Sequence, residues 1–415
     1  MTLEQKRLSR RTFTAGLAGL AGTGVAATVP GGTALAAPPA APQVATARTD
    51  RDRAEASWAA LRAHFRAGDG SGLYREQQPA QPADNPYSYE WPFSQAHVAA
   101  LDLTGMAGVG HRYDATLAAH VRAQRHYRVA KGTTGLPGYA SYPPPPYSQQ
   151  AGDIFYDDNE WVGLKDVQQH LMRLGRGGAA LADAEEVFAL VVSAWDDDPG
   201  HAAPGGFFWT QATWSTDRNT VSNMPAAELG LRLHQITGRR TYRTWARRAY
   251  DWTNAHLQRD SGLYDDHLDL KGVVEDTVWS YNQGVPVGVN VLLHAQTGRR
   301  RYLEEAERIA DAASAWFADA DHPLTGQPPV FNAIYFKNLL LLDAATGRST
   351  HRKAMAAWAD HVWRHQRDRA TGLFLFDTDE ATGSPTGTTQ LIQQAAMVQV
   401  FAVLAWPRSR QRLLY

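Results

Sequence analysis

The sequence predicts an all-α fold, a closed (α/α)6 toroid of helical hairpins. Two recurring turns and the spacing of the apolar residues between them lead to it. Thr237-Gly238-Arg239-Arg240 returns as Thr297-Gly298-Arg299-Arg300 and, in weaker form, as Thr346-Gly347-Arg348, at spacings of 60 and 49 residues. Asp260-Ser261-Gly262-Leu263-Tyr264 resembles Thr371-Gly372-Leu373-Phe374 and, near the start, Asp69-Gly70-Ser71-Gly72-Leu73-Tyr74. A period of about 50–60 residues with two helices per unit is the signature of stacked helical hairpins.

The elements of one unit follow in order. Leu229, Leu233 and Ile236 mark one face of a first helix, and Gly238 ends it as a C-cap should. The second helix begins a few residues on. Tyr242, Trp245, Ala249 and Trp252 share a face, as do Tyr302, Ala306, Ile309, Ala313 and Trp316. A Gly-Leu-aromatic loop closes the unit. Divided by this period of about 55–60 residues, the chain beyond its leader gives six to seven units. An open solenoid is the alternative arrangement, but the long aromatic loops suit a cleft at one end of a ring.

The first residues are not expected to belong to the fold. Lys6 and Arg7 lead into Ser9-Arg10-Arg11-Thr12-Phe13, a weakly apolar run at 15–27 and the small-x-small site Ala34-Leu35-Ala36. The expectation is a twin-arginine signal peptide over 1–36, a flexible Pro/Ala-rich leader over 37–50 and one catalytic domain over 51–415. Removing four basic residues and one acid from 41 and 42 leaves 37 and 41, a net charge of −4. Nothing in that balance calls for nucleic acid or an anionic membrane, and no apolar run is long enough to insert. The chain has no cysteine. That suits export in the folded state, and it removes thiol nucleophiles and thiolate-bound zinc. A secreted monomer is expected. The 13 Trp and 16 Tyr, crowded near Asp, Asn and Gln, suit a sugar-binding cleft, where rings stack on sugar faces.

The sharpest local pattern is Phe155-Tyr156-Asp157-Asp158-Asn159-Glu160-Trp161. Trp161, Leu164, Val167, Leu171 and Leu174 continue it as one helical face, so the two aspartates stand at the helix start, with Asp157 one turn before Trp161. Paired carboxyls are what a retaining glycosidase needs: one ionised nucleophile and one protonated acid, about 5–5.5 Å apart. Repulsion between them raises one of the two pKa values. Spacing alone leaves other readings open, since Asp near a helix start is often a cap. Asp196-Asp197-Asp198 precedes Pro199-Gly200 and reads as a solvated loop or a calcium ligand set, and Asp265-Asp266 follows a Gly-Leu-Tyr loop that could place Asp266 in the cleft.

Tyr156-Asp157-Asp158-x-x-Trp161 resembles the signature of glycoside hydrolase family 76, the endo-α-1,6-mannanases. Gly205-Gly206-Phe207-Phe208-Trp209, Asn219-Thr220-Val221-Ser222-Asn223 and Tyr281-Asn282-Gln283-Gly284 are similar to further family motifs in the same order. The resemblance covers about 55 to 400. It implies an (α/α)6 fold, a retaining mechanism with Asp157 as nucleophile and Asp158 as general acid/base, and no metal or organic cofactor. It also implies a cleft lined by Tyr156, Trp161, Trp209, Asn223, Tyr281, Asn282 and Gln283, to which Trp91 and Asp266 are added from their places in the chain. Phe331-Asn332-Ala333 and Asn159-Glu160 depart from the family pattern, and 137–150, with four prolines in a row, reads as an elaborated cleft loop. The expected substrate is an α-mannan. Transglycosylation, another toroid glycosidase such as an unsaturated uronyl hydrolase, and an inactive sugar-binding protein are the rival readings. The Arg-rich turns at 239–240 and 299–301 are expected on the face away from the cleft.

Overall fold

The structure is a computed structural model that describes residues 49–174, 177–377 and 386–415. The expected signal peptide and the leader as far as residue 48 lie outside the described residues. The described fold begins at Thr49. Its hydroxyl accepts the Asp52 N–H while the Asp52 carboxylate accepts the Thr49 N–H, a capping box at the start of α1 (Asp50–Phe65).

Five hairpins follow, each an inner helix and an outer one. They are α2 (Glu90–Thr104) with α3 (Asp114–Gln124), α4 (Tyr156–Leu171) with α5 (Gly177–Val192), and α6 (Thr220–Thr237) with α7 (Arg240–His256). Then come α8 (Ser280–Thr297) with α9 (Arg300–Ala318) and α10 (Pro329–Thr346) with α11 (Thr350–His365). The last inner helix, α12 (Leu391–Leu404), packs on α1, which completes the sixth hairpin. Inner helices touch in the order α2, α4, α6, α8, α10, α12, and α12 packs back on α2. The ring is closed, as the repeats predict.

Burial separates the two layers. In α8 every residue from Ser280 to Leu293 is buried, the mark of a helix enclosed on all sides. In α9 only Tyr302, Ala306, Ile309, Ala310, Ala313 and Phe317 are, one stripe facing inward. The Thr-Gly turns end α6, α8 and α10 with Gly238, Gly298 and Gly347 in the left-handed region at φ 72°, 66° and 73°. The threonine explains its own recurrence. Thr237 and Thr297 each donate to the carbonyl four residues back, Leu233 and Leu293, and accept the N–H of Arg239 and Arg299. The Gly-Leu-aromatic loops return the chain after an outer helix through bridges Arg66 to Tyr74, Gln258 to Tyr264 and Arg367 to Phe374. Their leucines are buried plugs.

Because inner and outer helices alternate in direction, all inner helices start at one end. Short antiparallel ribbons frame that end: β1 (Gln77–Gln78) with β7 (Thr389–Gln390), β2 (Arg128–Val129) with β3 (Gly138–Tyr139), and β4 (Arg218–Asn219), β5 (His267–Leu268) and β6 (Val274–Glu275) as a three-stranded sheet. Gly284 lets α8 approach α10, since a Cβ there would stand 2.5 Å from the Tyr335 Cα. Below the cleft the axis is filled. Lys337 Nζ lies 2.8 Å from Asp102 Oδ2 and sits over the Tyr415 ring, and Trp161 packs beside that ring.

Candidate active site

One device repeats at the start of three inner helices. Asn159 accepts the Tyr139 N–H (2.7 Å) and donates to the Tyr139 and Phe155 carbonyls. Asn223 treats Phe207 and Asn219 the same way, and Gln283 treats Tyr264 and Trp279. Each amide thus fastens the preceding loop to the helix start and returns one bond to the carbonyl four residues back. These loops carry the cleft, so the device sets the register of the site.

The fastening at α4 places the aspartates. The Tyr156 N–H donates to the Trp209 carbonyl (2.9 Å), which joins the helix start to the Gly-Gly-Phe loop. Asp157 Oδ1 accepts the Asp158 N–H (3.0 Å), and its Oδ2 accepts the Trp209 indole N–H (3.0 Å). Both oxygens of Asp157 are therefore oriented by N–H donors, with the indole beside the carboxylate. Asp158 is buried. Burial, then the neighbouring Asp157 and Glu90, hold its carboxyl well above the usual carboxylate range. The pair is thus differentiated by its surroundings: one half-buried and anchored group, and one buried group whose carboxyl is pushed toward its acid form.

Two more carboxyls belong to the site that the sequence did not single out. Glu90, first residue of α2, is buried, accepts from Gln124 Nε2 (2.6 Å) and is pushed up to about 8, chiefly by burial. Glu160 is wholly buried with neither oxygen hydrogen-bonded, and burial with Asp157 and Asp158 raises it well above its ordinary value. A glutamate directly after a Tyr at an inner-helix start, and a charge on a face otherwise filled by core residues, were the signals available for them.

At the start of α8, Asp266 Oδ1 accepts from Asn282 Nδ2 (3.1 Å) and Oδ2 meets His267 Nδ1 (3.0 Å). Asp266, His267 and Glu275 have the donor set of a metal site, their ligand atoms within 4.8 Å of one another. His267 Nε2 also lies 3.8 Å from Asp217. Burial opposes a charge on His267, but the Asp266 hydrogen bond and the surrounding carboxylates outweigh it and raise its pKa. Tyr281 stacks on Phe331 with ring centroids 3.9 Å apart, and Trp91 and Trp279 flank Phe331 at 6.0 and 5.5 Å, an aromatic wall across from the aspartates.

Not every residue expected in the cleft is there. Trp161 is 1 % exposed and lies in the core below the floor. Tyr156 is buried at 3 % exposure. Asn223 and Gln283 use their amides as loop fasteners. Trp209, Asn282, Asp266, Tyr281 and Trp91 sit at the cleft end. Asp196, in the acidic loop read as a candidate ion site, instead accepts from Arg218 Nη1 (2.8 Å) and His201 Nδ1 (2.9 Å).

Residues 60–412 match glycosyl hydrolase family 76. The chain belongs to this family. A family 76 mannosidase from Bacteroides thetaiotaomicron shares the fold, with a TM-score of 0.73 at 24 % identity over 86 % of this chain and 98 % of that one. An inactive α-1,6-mannanase variant from Salegentibacter, with two adjacent aspartates changed to asparagine and α-1,6-mannotriose bound, gives 0.68 at 18 % over 86 % and 99 %. At these identities the likeness shows the fold alone. In sequence, a mannan endo-1,6-alpha-mannosidase of Candida glabrata is 28 % identical over 142 residues, and its Saccharomyces cerevisiae counterpart 27 % over 145. The chain spans about a third of the length of these two relatives, 31 % and 32 %.

Proposed function

We propose that the protein is an exported endo-acting glycoside hydrolase that cleaves α-1,6-linked mannan with retention of configuration. The observation that carries this reading is the asymmetry of the pair: Asp157 half-buried and held by two N–H donors, Asp158 buried with its carboxyl pushed well above the usual carboxylate range. Family membership and the names of the relatives support the substrate. In the first step the Asp157 carboxylate attacks the anomeric carbon, the bond to the leaving glycan breaks, and Asp158 gives its proton to the departing oxygen. In the second step the Asp158 carboxylate takes a proton from water, and the water oxygen displaces Asp157 from the sugar. The Trp209 N–H follows the Asp157 oxygen from carboxylate to ester and back.

The test is incubation of the purified chain with linear α-1,6-mannan, with products separated by chromatography and the first-formed anomer read by proton NMR. Short manno-oligosaccharides of α configuration are expected from the wild type, and from Asp158→Asn their formation about 10²–10⁴-fold more slowly. A β anomer formed first would overturn the mechanism, and cleavage of other glycans but not this one would overturn the substrate.

Export through the twin-arginine route is part of the same proposal. Ser9-Arg10-Arg11-Thr12-Phe13 and a chain without cysteine support it. No helix among the described residues is long and apolar enough to cross a membrane. Arg10→Lys/Arg11→Lys is expected to leave the protein in the cell fraction of an expressing bacterium. Undiminished appearance in the medium would count against the route.

A further inference from the structure

The end of the ring opposite the cleft carries a charge that the chemistry does not use. It is built from the turns that join each inner helix to the next outer one, together with the segment after α12. Across residues 104–114, 237–243, 297–304, 346–353 and 405–412 the chain has thirteen Lys and Arg and two acids, although its overall net charge is −1. The last of these segments lies across the base. Arg408 donates to the Arg348 carbonyl (2.7 Å), Arg410 to Gly105 (3.3 Å), and the Arg412 carbonyl accepts from Arg232. The turns are thereby tied into one continuous surface.

Helix stability does not account for these cations. Arg239 and Arg299 occupy the N-cap positions of α7 and α9, with no side-chain capping bond, and Arg240, Arg300 and Arg301 stand in the first turns. Neither first turn has an acid, nor does that of α11, which holds Lys353. Positive charge at a helix N-terminus opposes the macrodipole. The same chain caps α1 with Thr49 and two aspartates, so the alternative was available to it. Three of the arginines meet carboxylates in exposed pairs, Arg239 with Glu185, Arg300 with Glu304 and Arg348 with Glu307. Such pairs are weak, and the surplus remains.

We propose that this base is a docking surface for a phosphodiester-linked polymer, which would hold the enzyme on an anionic matrix with its cleft turned outward. Arginine predominates over lysine, and its planar fork matches phosphate oxygens two at a time. A lipid surface fits less well. Among the described residues the large exposed apolar side chains are Trp214, Val273 and Val274, all in cleft-end loops, so the base has nothing apolar to insert. The proposal does not depend on which glycan the cleft takes.

The test is binding of the purified chain to fluorescently labelled poly(glycerol phosphate), followed by anisotropy over a salt series. The comparison is Arg240→Glu/Arg299→Glu/Lys353→Glu, three exposed positions far from the aspartates. Wild type is expected to bind with a steep salt dependence, and the variant about tenfold more weakly, its slope of log K against log salt reduced by about three. Hydrolysis of soluble mannan should be unchanged. The variant's melting temperature should hold or rise, because acids now sit at helix N-termini. Equal binding by wild type and variant would overturn the proposal. So would tighter binding to phosphatidylglycerol vesicles than to the polymer.

Discussion

Replacing Asp157 by Asn is expected to lower turnover by roughly 10⁴-fold or more, the scale on which loss of a nucleophile falls. Asparagine keeps one acceptor oxygen for the two N–H donors of Asp158 and the Trp209 indole, so a single hydrogen bond at a half-buried position is lost and only a small change of melting temperature is expected. Asp158→Asn should cost about 10²–10⁴-fold on mannan, as removal of a general acid does. The loss should be far smaller on an aryl mannoside, whose leaving group departs without a proton. That difference in leaving-group dependence assigns the two roles; equal losses on both substrates would contradict the assignment. The pH dependence follows from the surroundings of Asp158. Its folded-state pKa is raised by burial and by Asp157 and Glu90. The acid form is therefore favoured beyond the ordinary carboxyl range, and kcat/KM should fall on the alkaline side as Asp158 loses its proton. Glu90, itself pushed up to about 8, opposes that loss once it is ionised. Glu90→Gln is expected to move the alkaline limb to lower pH. The stability sign agrees. A raised folded-state pKa contributes stability below the unfolded value of 3.8, lost as pH rises through the folded value. Asp158→Asn should then be more thermostable than wild type by a margin that grows with pH, the usual trade between site and stability.

What the sequence made legible was what depends on neighbours in the chain. The Thr-Gly turn is local chemistry: hydroxyl, left-handed glycine and helix end lie within six residues, so its repetition disclosed the hairpins and their closure into a ring. The adjacency of Asp157 and Asp158 was equally visible, as was the helix that follows them. Depth was not. Helical periodicity placed Trp161 on the inward face, and it is there, but one turn below the aspartates the axis is occupied by Tyr415, more than 250 residues later in the sequence. The amides were harder still. Asn223 and Gln283 fasten loops 16 and 19 residues away, and an amide that fastens backbone is written with the same letter as one that binds a hydroxyl. Glu90 and Glu160 are two of 42 acids. The packing of α2 against α4 brings Glu90 to the site, and burial of the first turn of α4 makes Glu160 part of it.

Arg218→Met should be the most damaging single change outside the aspartates. Arg218 has 0 % exposure and joins three segments. Nη1 donates to Asp196 (2.8 Å), Ala203 (2.8 Å) and Gly205 (3.3 Å), and Nη2 to Ala202 (2.9 Å) and Asp269 (2.7 Å). Methionine fills much of the volume but takes the guanidinium from four carbonyls and from the buried Asp196 carboxylate, which keeps only His201 and the Asp198 N–H. Breaking a buried pair from one side costs about 3–5 kcal/mol, which for a domain of this size lowers the melting temperature by about 5 °C. The effect should reach catalysis through the backbone. The Trp209 N–H donates to the Asp217 carbonyl beside Arg218, and the Thr220 N–H donates to that of Asp266. Loosening this knot lets the Trp209 indole drift from Asp157, and a shift on the order of 1 Å can cost about 10²-fold in kcat. Two companions separate the causes. Arg218→Lys keeps the charge but offers a point ammonium to five spread acceptors, so it should recover only part of the stability. Arg218→Met/Asp196→Asn removes the stranded charge and should recover more, measured as a higher melting temperature than Arg218→Met alone. If the double variant is no more stable than the single, the unanswered carbonyls, and not the Asp196 carboxylate, dominate the penalty. In either case the activity loss should track the position of Trp209, because the aspartates themselves are untouched.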